Sequence, residues 1–174
     1  LSEIALLAGL APAPSIYSPY ENIDLAIILK SPIFSLEDDE LIRIKSLSKG
    51  GDLWWQSLER DVKSGCASRS MGRAYQLISQ WLTVVDTMPI HDLLDRIFHE
   101  GNLMGRYSAA TPKQFRNIVE ANLEKFLEFS LLMDSGRYPS LQKFLESLFR
   151  FIQLEKENPQ EALDLGDQSS RDAL

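Results

Sequence analysis

A chain of 174 residues, 44% hydrophobic and 25% charged, suffices for one domain with a hydrophobic core, and excludes disordered and collagen-like classes. Its net charge of −7 argues against a free-standing nucleic-acid binder, although a basic face fits within an acidic whole. The single cysteine, Cys66, allows no internal disulfide and points to a reducing, cytoplasmic compartment, and no apolar run reaches the ~18–20 residues that span a membrane.

In chain order, Leu1–Leu10 reads as a short apolar helix capped by Ser2; it lacks the basic flank of a signal peptide. Ala11-Pro12-Ala13-Pro14 breaks regular structure. Asn22–Leu29 resumes an apolar pattern with Glu21 and Asp24 in its first turn, which reads as helix, with a buried strand as the alternative. Pro32 ends that element. Ser35 is the expected cap of a helix opening on Glu37, Asp38, Asp39 and Glu40, with Leu41, Ile42 and Ile44 on its apolar face. After the Gly50-Gly51 loop, Asp52 is the expected cap of a helix through Trp54, Trp55 and Leu58 to about Lys63. Adjacent tryptophans lie about 100° apart on a helix, so one is expected in the core and the other partly exposed. Ser64–Ser70 reads as a loop carrying Cys66 as a small, partly buried thiol.

The spacing of Ala74, Leu77, Ile78, Trp81, Leu82 and Val85 predicts a helix over 71–85. A second helix follows Pro89 and ends near Gly101, and Asn102–Ala110 is a connection with a helical turn at Leu103-Met104. The best-signalled structure is a helical hairpin at 111–152. Thr111, Pro112 and Gln114 form a capping box ahead of Phe115, Ile118, Val119, Leu123, Phe126, Leu127 and Leu131. Gly136 stops that helix, and Ser140 caps a partner carrying Leu141, Phe144, Leu145, Leu148, Phe149 and Ile152; so short a loop makes the two antiparallel neighbours. The expected architecture is all-α: a single compact helical domain of about seven or eight helices over 1–154. An acidic tail over 155–174, six acids against two bases, is expected to be mobile.

Chemistry is sparse. No phosphate-binding glycine motif is present, and the nine glycines fall mostly at predicted helix ends. His91 and His99, eight apart, are not the i, i+4 pair that clamps zinc on a helix, and both read as structural or surface residues. No nucleophile elbow or cysteine-protease signature occurs. Catalytic, cofactor-binding and metal-ligating residues are therefore not expected in this chain. One asymmetry stands out between Leu41 and Tyr75, where seven bases oppose three acids and enclose both Trp54 and Trp55. Bases interleaved with aromatics grip a phosphate backbone and stack on nucleobases; a solvated face over two core tryptophans has the same sequence signature. The DNA-contact candidates are Lys45, Lys49, Arg60, Lys63, Arg69 and Arg73, and the candidate exposed anchors are Trp54 and Trp55.

Two stretches resemble a known family. Leu25-Ala26-Ile27-Ile28-Leu29-Lys30-Ser31-Pro32-Ile33-Phe34, followed by Leu36-Glu37-Asp38-Asp39-Glu40-Leu41, is similar to a Lys/Arg-Ser-Pro segment of UvrD/Rep-type helicases, nearest the AddA/RecB helicase–nuclease branch. Ala121-Asn122-Leu123-Glu124-Lys125-Phe126-Leu127 and Pro139-Ser140-Leu141-Gln142-Lys143-Phe144-Leu145 resemble a helical pair of the same branch. The resemblance covers roughly Asp24 to Ile152. It implies the helical 2B insertion subdomain of the motor, which touches duplex DNA or a junction, moves as a unit and meets a partner subunit. For the parent protein it implies ATP and Mg²⁺, because the P-loop, Walker B acids and nuclease carboxylates are not in this chain. Together with the Leu start, this leads to the expectation of a segment cut from a longer helicase. A self-contained α-helical protein–protein interaction domain is the alternative.

Overall fold

A computed structural model describes residues 19–48, 52–85 and 87–133, together with the helical positions 144, 147, 148 and 150. The described residues form seven α-helices and no strand. In order they are α1 (Pro19–Lys30), α2 (Asp38–Leu47), α3 (Trp54–Lys63), α4 (Arg69–Leu82), α5 (Ile90–Gly101), α6 (Leu103–Ala110) and α7 (Arg116–Met133), with a 3-10 turn at Lys113–Phe115 before α7. Neighbours in sequence pack as neighbours in space: α2 on α3, α3 on α4, α4 on α5, α5 on α6 and α6 on α7. Two longer contacts close the bundle, α1 on α3 and α7 on α5.

The ambiguous stretch after Asn22 is helix because its apolar residues serve two faces. Leu25, Ile28 and Leu29 are buried at helical spacing, whereas Ile23 and Ile27 are 57% and 41% exposed. A strand would have put Ile23, Leu25, Ile27 and Leu29 on one side. The Lys-Ser-Pro segment then turns the chain. Ser31 is buried and its hydroxyl donates to Ile28 O at 2.7 Å, and Ile33 and Phe34 plunge into the core. Trp81, also buried, satisfies its indole N–H on Glu100 at 2.7 Å, and Arg96 holds the other oxygen of that carboxylate at 2.8 Å.

Several helix starts differ from their expected caps. Ser35 does not cap α2. It sits in the left-handed region at φ 54 and closes the turn by donating its N–H to Ser31 O at 2.8 Å. Glu37 takes the cap position, and the Glu40 carboxylate reaches back to accept its N–H at 2.8 Å. Asp52 does not cap α3 either. The Trp54 N–H instead donates to the side-chain oxygen of Asn22, on α1, at 2.8 Å. Ser68 does cap α4, accepting from the Met71 N–H at 3.1 Å, so the helix begins inside the expected 64–70 loop. Asn102–Ala110 is more than a connection: one left-handed residue, Asn102 at φ 51, separates α5 from a complete α6 whose Leu103 is fully buried. Thr111 turns its hydroxyl back to Tyr107 O at 2.7 Å, finishing α6 rather than starting α7.

On the first arm of the hairpin, Leu123 and Phe126 are buried, but Phe115, Ile118 and Leu131 are exposed. The face of α7 that meets α5 and α6 is narrower than the apolar stripe. Phe144 and Leu148, from the second predicted stripe, are buried and helical. Gly136, Ser140, Leu141, Leu145, Phe149, Ile152, the 155–174 tail and Leu1–Leu10 lie outside the described residues.

Candidate functional site

The basic stretch spreads over α2, α3 and α4, and most of its charge is spent inside the protein. Arg43 on α2 forks onto Asp61 of α3 through two bonds of 2.8 Å. Arg60 donates to Asp52 at 2.6 Å and reaches Leu47 O at 3.4 Å, tying the end of α2 to α3. Lys63 pairs with Glu59 at 2.8 Å, and Tyr75 donates its hydroxyl to that carboxylate at 2.9 Å. All three acids of the stretch are thus engaged by its own bases. Arg73 points inward, donating to Ile33 O at 2.7 Å and Gly101 O at 3.1 Å with its guanidinium over the Phe34 ring.

Two of the six DNA-contact candidates remain exposed without an ion pair among the described residues, Lys45 and Arg69. Lys49 lies outside the described residues. A bridge brings the two helices carrying Lys45 and Arg69 together: the Ser68 hydroxyl, one position before Arg69, bonds the Glu40 carboxylate on α2. Lys45 follows Glu40 by five positions, about 7.5 Å along the helix. Beside this bridge an open cleft of about 500 Å³ is lined by Arg43, Ser46, Cys66 and Met71, among others. Cys66 is an exposed free thiol, not the partly buried one expected, because the loop bearing it stands clear of the core.

The Arg43–Asp61 fork has a consequence for acid stability. Asp61 is buried, and its hydrogen bonds from Arg43 outweigh the opposing effect of burial, holding its carboxyl below the usual carboxylate range. A lowered folded pKa contributes stability that is present above the unfolded value of about 3.9 and lost as pH falls through the folded one. The urea midpoint is expected to fall on going from pH 6 to pH 3. In Asp61→Asn the midpoint should start lower and fall less over that range. Parallel pH profiles for the two proteins would show that the pair contributes nothing.

The tryptophans divide differently from expectation, since both are half-buried. Trp55 stacks on Tyr75 with ring centroids 5.2 Å apart. Trp54 borders an apolar groove of about 450 Å³ with Ile23, Ala26, Ile27, Pro32 and Leu41, and Lys30 stands at its rim. The sequence signal for this groove was the Ile23/Ile27 pair four residues apart on the side of α1 away from Leu25 and Leu29. His91 shares a hydrogen bond of 3.0 Å with Ser130, joining α5 to α7, and His99 is exposed. Among the described residues, no group of three His, Cys, Asp or Glu side chains could hold a metal ion, and no helix is long and apolar enough to cross a membrane.

No protein-family model matches the chain. Among curated proteins it is similar to the A subunit of the ATP-dependent helicase/nuclease of Lactococcus lactis subsp. lactis, at 23% identity over 88% of this chain and 13% of that protein. The exonuclease/helicase protein RexA of Lactococcus lactis subsp. cremoris is 26% identical over 88% of this chain and 13% of its own length. The corresponding helicase/nuclease protein of Anoxybacillus flavithermus is 25% identical over 90% and 12%. The chain spans about 13% of the length of the curated relatives it matches. It is similar to a segment of the helicase/nuclease A subunits, the branch that the Lys30-Ser31-Pro32 segment resembles.

Proposed function

We propose that this chain is a non-catalytic helical subdomain of an ATP-dependent DNA helicase or helicase–nuclease of recombination and repair, and that it engages duplex DNA. The observation carrying this reading is that nearly nine-tenths of the chain aligns with about an eighth of proteins named for helicase and nuclease activity. In such a parent the ATP and Mg²⁺ chemistry belongs to the motor, for which this chain supplies no P-loop. Conformational gating and partner-subunit docking are compatible roles for the same unit. The exposed Lys45 on α2 and Arg69 on α4 are the phosphate contacts among the described residues of the basic stretch, with Lys49 alongside Lys45 in sequence.

Binding to a duplex or a duplex–single-strand junction is expected to weaken steeply with salt. Lys45→Glu with Arg69→Glu should lower the slope of log affinity against log salt by about 2, one unit for each phosphate no longer neutralised. A filter-binding or anisotropy titration across 50–200 mM salt checks this; an unchanged slope would remove both residues from the interface. The second reading, a protein–protein interaction domain, is favoured by one observation, the apolar groove beside Trp54. Salt-independent capture of a protein, with no DNA binding, is its signature.

A further inference from the structure

A quarter of the chain, residues 62–85 and 101–119, holds six bases and none of the 25 acids. In a protein of net charge −7 that is a segregation of charge, and the fold joins the two runs. Arg73 of α4 donates to the carbonyl of Gly101, the last residue of α5. Two positions later α6 begins, and it carries Arg106. Past its other end Lys113 is exposed in the 3-10 turn, and the Arg116 Nε donates back to Thr111 O at 3.1 Å. Arg69 lies one turn before Arg73, on the same side of α4. Bases therefore flank α6 from its start to its end.

This charge is not cancelled. Arg69, Arg106, Lys113 and Arg116 make no ion pair among the described residues. Glu100, the nearest acid before α6 in sequence, is taken by Trp81 and Arg96. Arg73 bonds two carbonyls and no carboxylate; burial first, and the charge of Arg106 second, hold its pKa below the usual value.

We propose that the α6 edge is a seat for the phosphate backbone of DNA, with Arg106, Lys113 and Arg116 continuing the surface that Arg69 begins. The inference rests on the reading that this chain engages DNA, and that reading favours DNA over other anionic surfaces. It places the larger part of the interface outside the basic stretch between Leu41 and Tyr75. Clustered like charges repel one another, and an anion laid across them relieves the repulsion. Three of the four bases are arginines, whose planar fork matches phosphate oxygens. The eight residues of α6 are about 12 Å long, and a DNA strand carries one phosphate per ~3.4 Å of helix axis, so the edge runs beside about three or four. Arg73, tied to its carbonyls, anchors α4 to this edge and is not itself a contact.

The test compares two double variants of the full chain by anisotropy, on a duplex–single-strand junction across 50–200 mM salt. Arg106→Gln with Lys113→Gln is expected to lower the slope of log affinity against log salt by about 2. Lys125→Gln with Arg150→Gln removes the same charge from exposed positions elsewhere and should leave the slope unchanged. An unchanged slope in the first variant, or an equal fall in both, would overturn the proposal. So would loss of binding to phosphatidylserine vesicles in the first variant with its DNA slope intact, which would assign the edge to a membrane surface. Lys113→Gln alone, at an exposed side chain, keeps the test usable should the double variant unfold; its expected change is about 1, and no change would count against the edge equally. The two readings fail differently. Absence of DNA binding by the unaltered chain sinks the proposed function and the edge together, whereas a slope lowered by Lys45→Glu with Arg69→Glu but not by Arg106→Gln with Lys113→Gln sinks the edge alone.

Discussion

Phe126→Ala is expected to destabilise the protein by about 3–5 kcal/mol, the range for removing a large aromatic ring from a core that cannot collapse. Phe126 is 3% exposed and lies where α5 meets α7. Its ring stacks on Phe98 at 6.2 Å and 15°, and meets Phe144 edge-on at 6.4 Å and 68°. Such pairs add about 0.5–1.5 kcal/mol each beyond area burial. The neighbouring rings are mounted on separate helices, so closing the void requires moving whole elements. Urea denaturation monitored by circular dichroism measures the loss, and a value below about 1 kcal/mol would show that the stripe is not core. Ile118→Ala on the same helix is the control. At 58% exposure it should change stability by no more than about 0.5 kcal/mol.

Arg73→Met is the second large effect, expected at about 2–5 kcal/mol. The guanidinium fork spans two backbone carbonyls, Ile33 O after the Lys-Ser-Pro turn and Gly101 O at the end of α5. Ile33 and Gly101 are buried, so methionine leaves both carbonyls unsatisfied at about 1–3 kcal/mol each. Burial, with Arg106 nearby, pulls the guanidinium's pKa below its usual value, yet arginine remains charged and its desolvation is offset by the two bonds and the Phe34 ring. Arg73→Lys should recover less than half of the loss, because a single ammonium cannot reproduce a planar fork. Unfolding curves of the three proteins decide this. Arg73 was one of the DNA-contact candidates, and a clamp predicts that Arg73→Met, which removes the charge, leaves the salt slope of DNA binding by the folded protein unchanged. A slope lowered by one unit would restore it as a phosphate contact.

Where local chemistry decides the outcome, the sequence was legible. α5 follows Pro89 and ends at Gly101 as expected, because a proline start acts within one turn and Asn102, the next residue, takes the left-handed conformation that stops the helix. The helical spacing of Ala74, Ile78 and Trp81 was equally readable, and all three are buried. Expectation failed where a distant partner takes over a local role. Asp52 carries the right chemistry for a cap but is drawn to Arg60, leaving the start of α3 to Asn22. Ser35 is likewise diverted into a left-handed turn that the packing of Ile33 and Phe34 requires. Phe115, Ile118 and Leu131 share the spacing of Leu123 and Phe126, and spacing alone does not reveal how wide a face the neighbouring helices cover. The charge count suffered in the same way. An excess of bases marked the right stretch, but which bases face water depends on Asp52, Glu59 and Asp61 finding partners across α2, α3 and α4. The similarity to helicase/nuclease A subunits was legible from the Lys30-Ser31-Pro32 segment, while the groove beside it emerges only when α1, α2 and α3 are assembled.

The bond from the Trp54 amide to Asn22 spans 32 positions of sequence and makes the first turn of α3 conditional on α1. That amide is consequently a native sentinel for α1. Its hydrogen exchange proceeds through any opening that lifts α1 away, whether spontaneous, caused by a mutation, or driven by a ligand. An Asn22→Ala protein should exchange this single site faster while amides deeper in α3 keep their protection. The chain therefore carries its own probe, at one resolvable position, of whether its first described helix is docked.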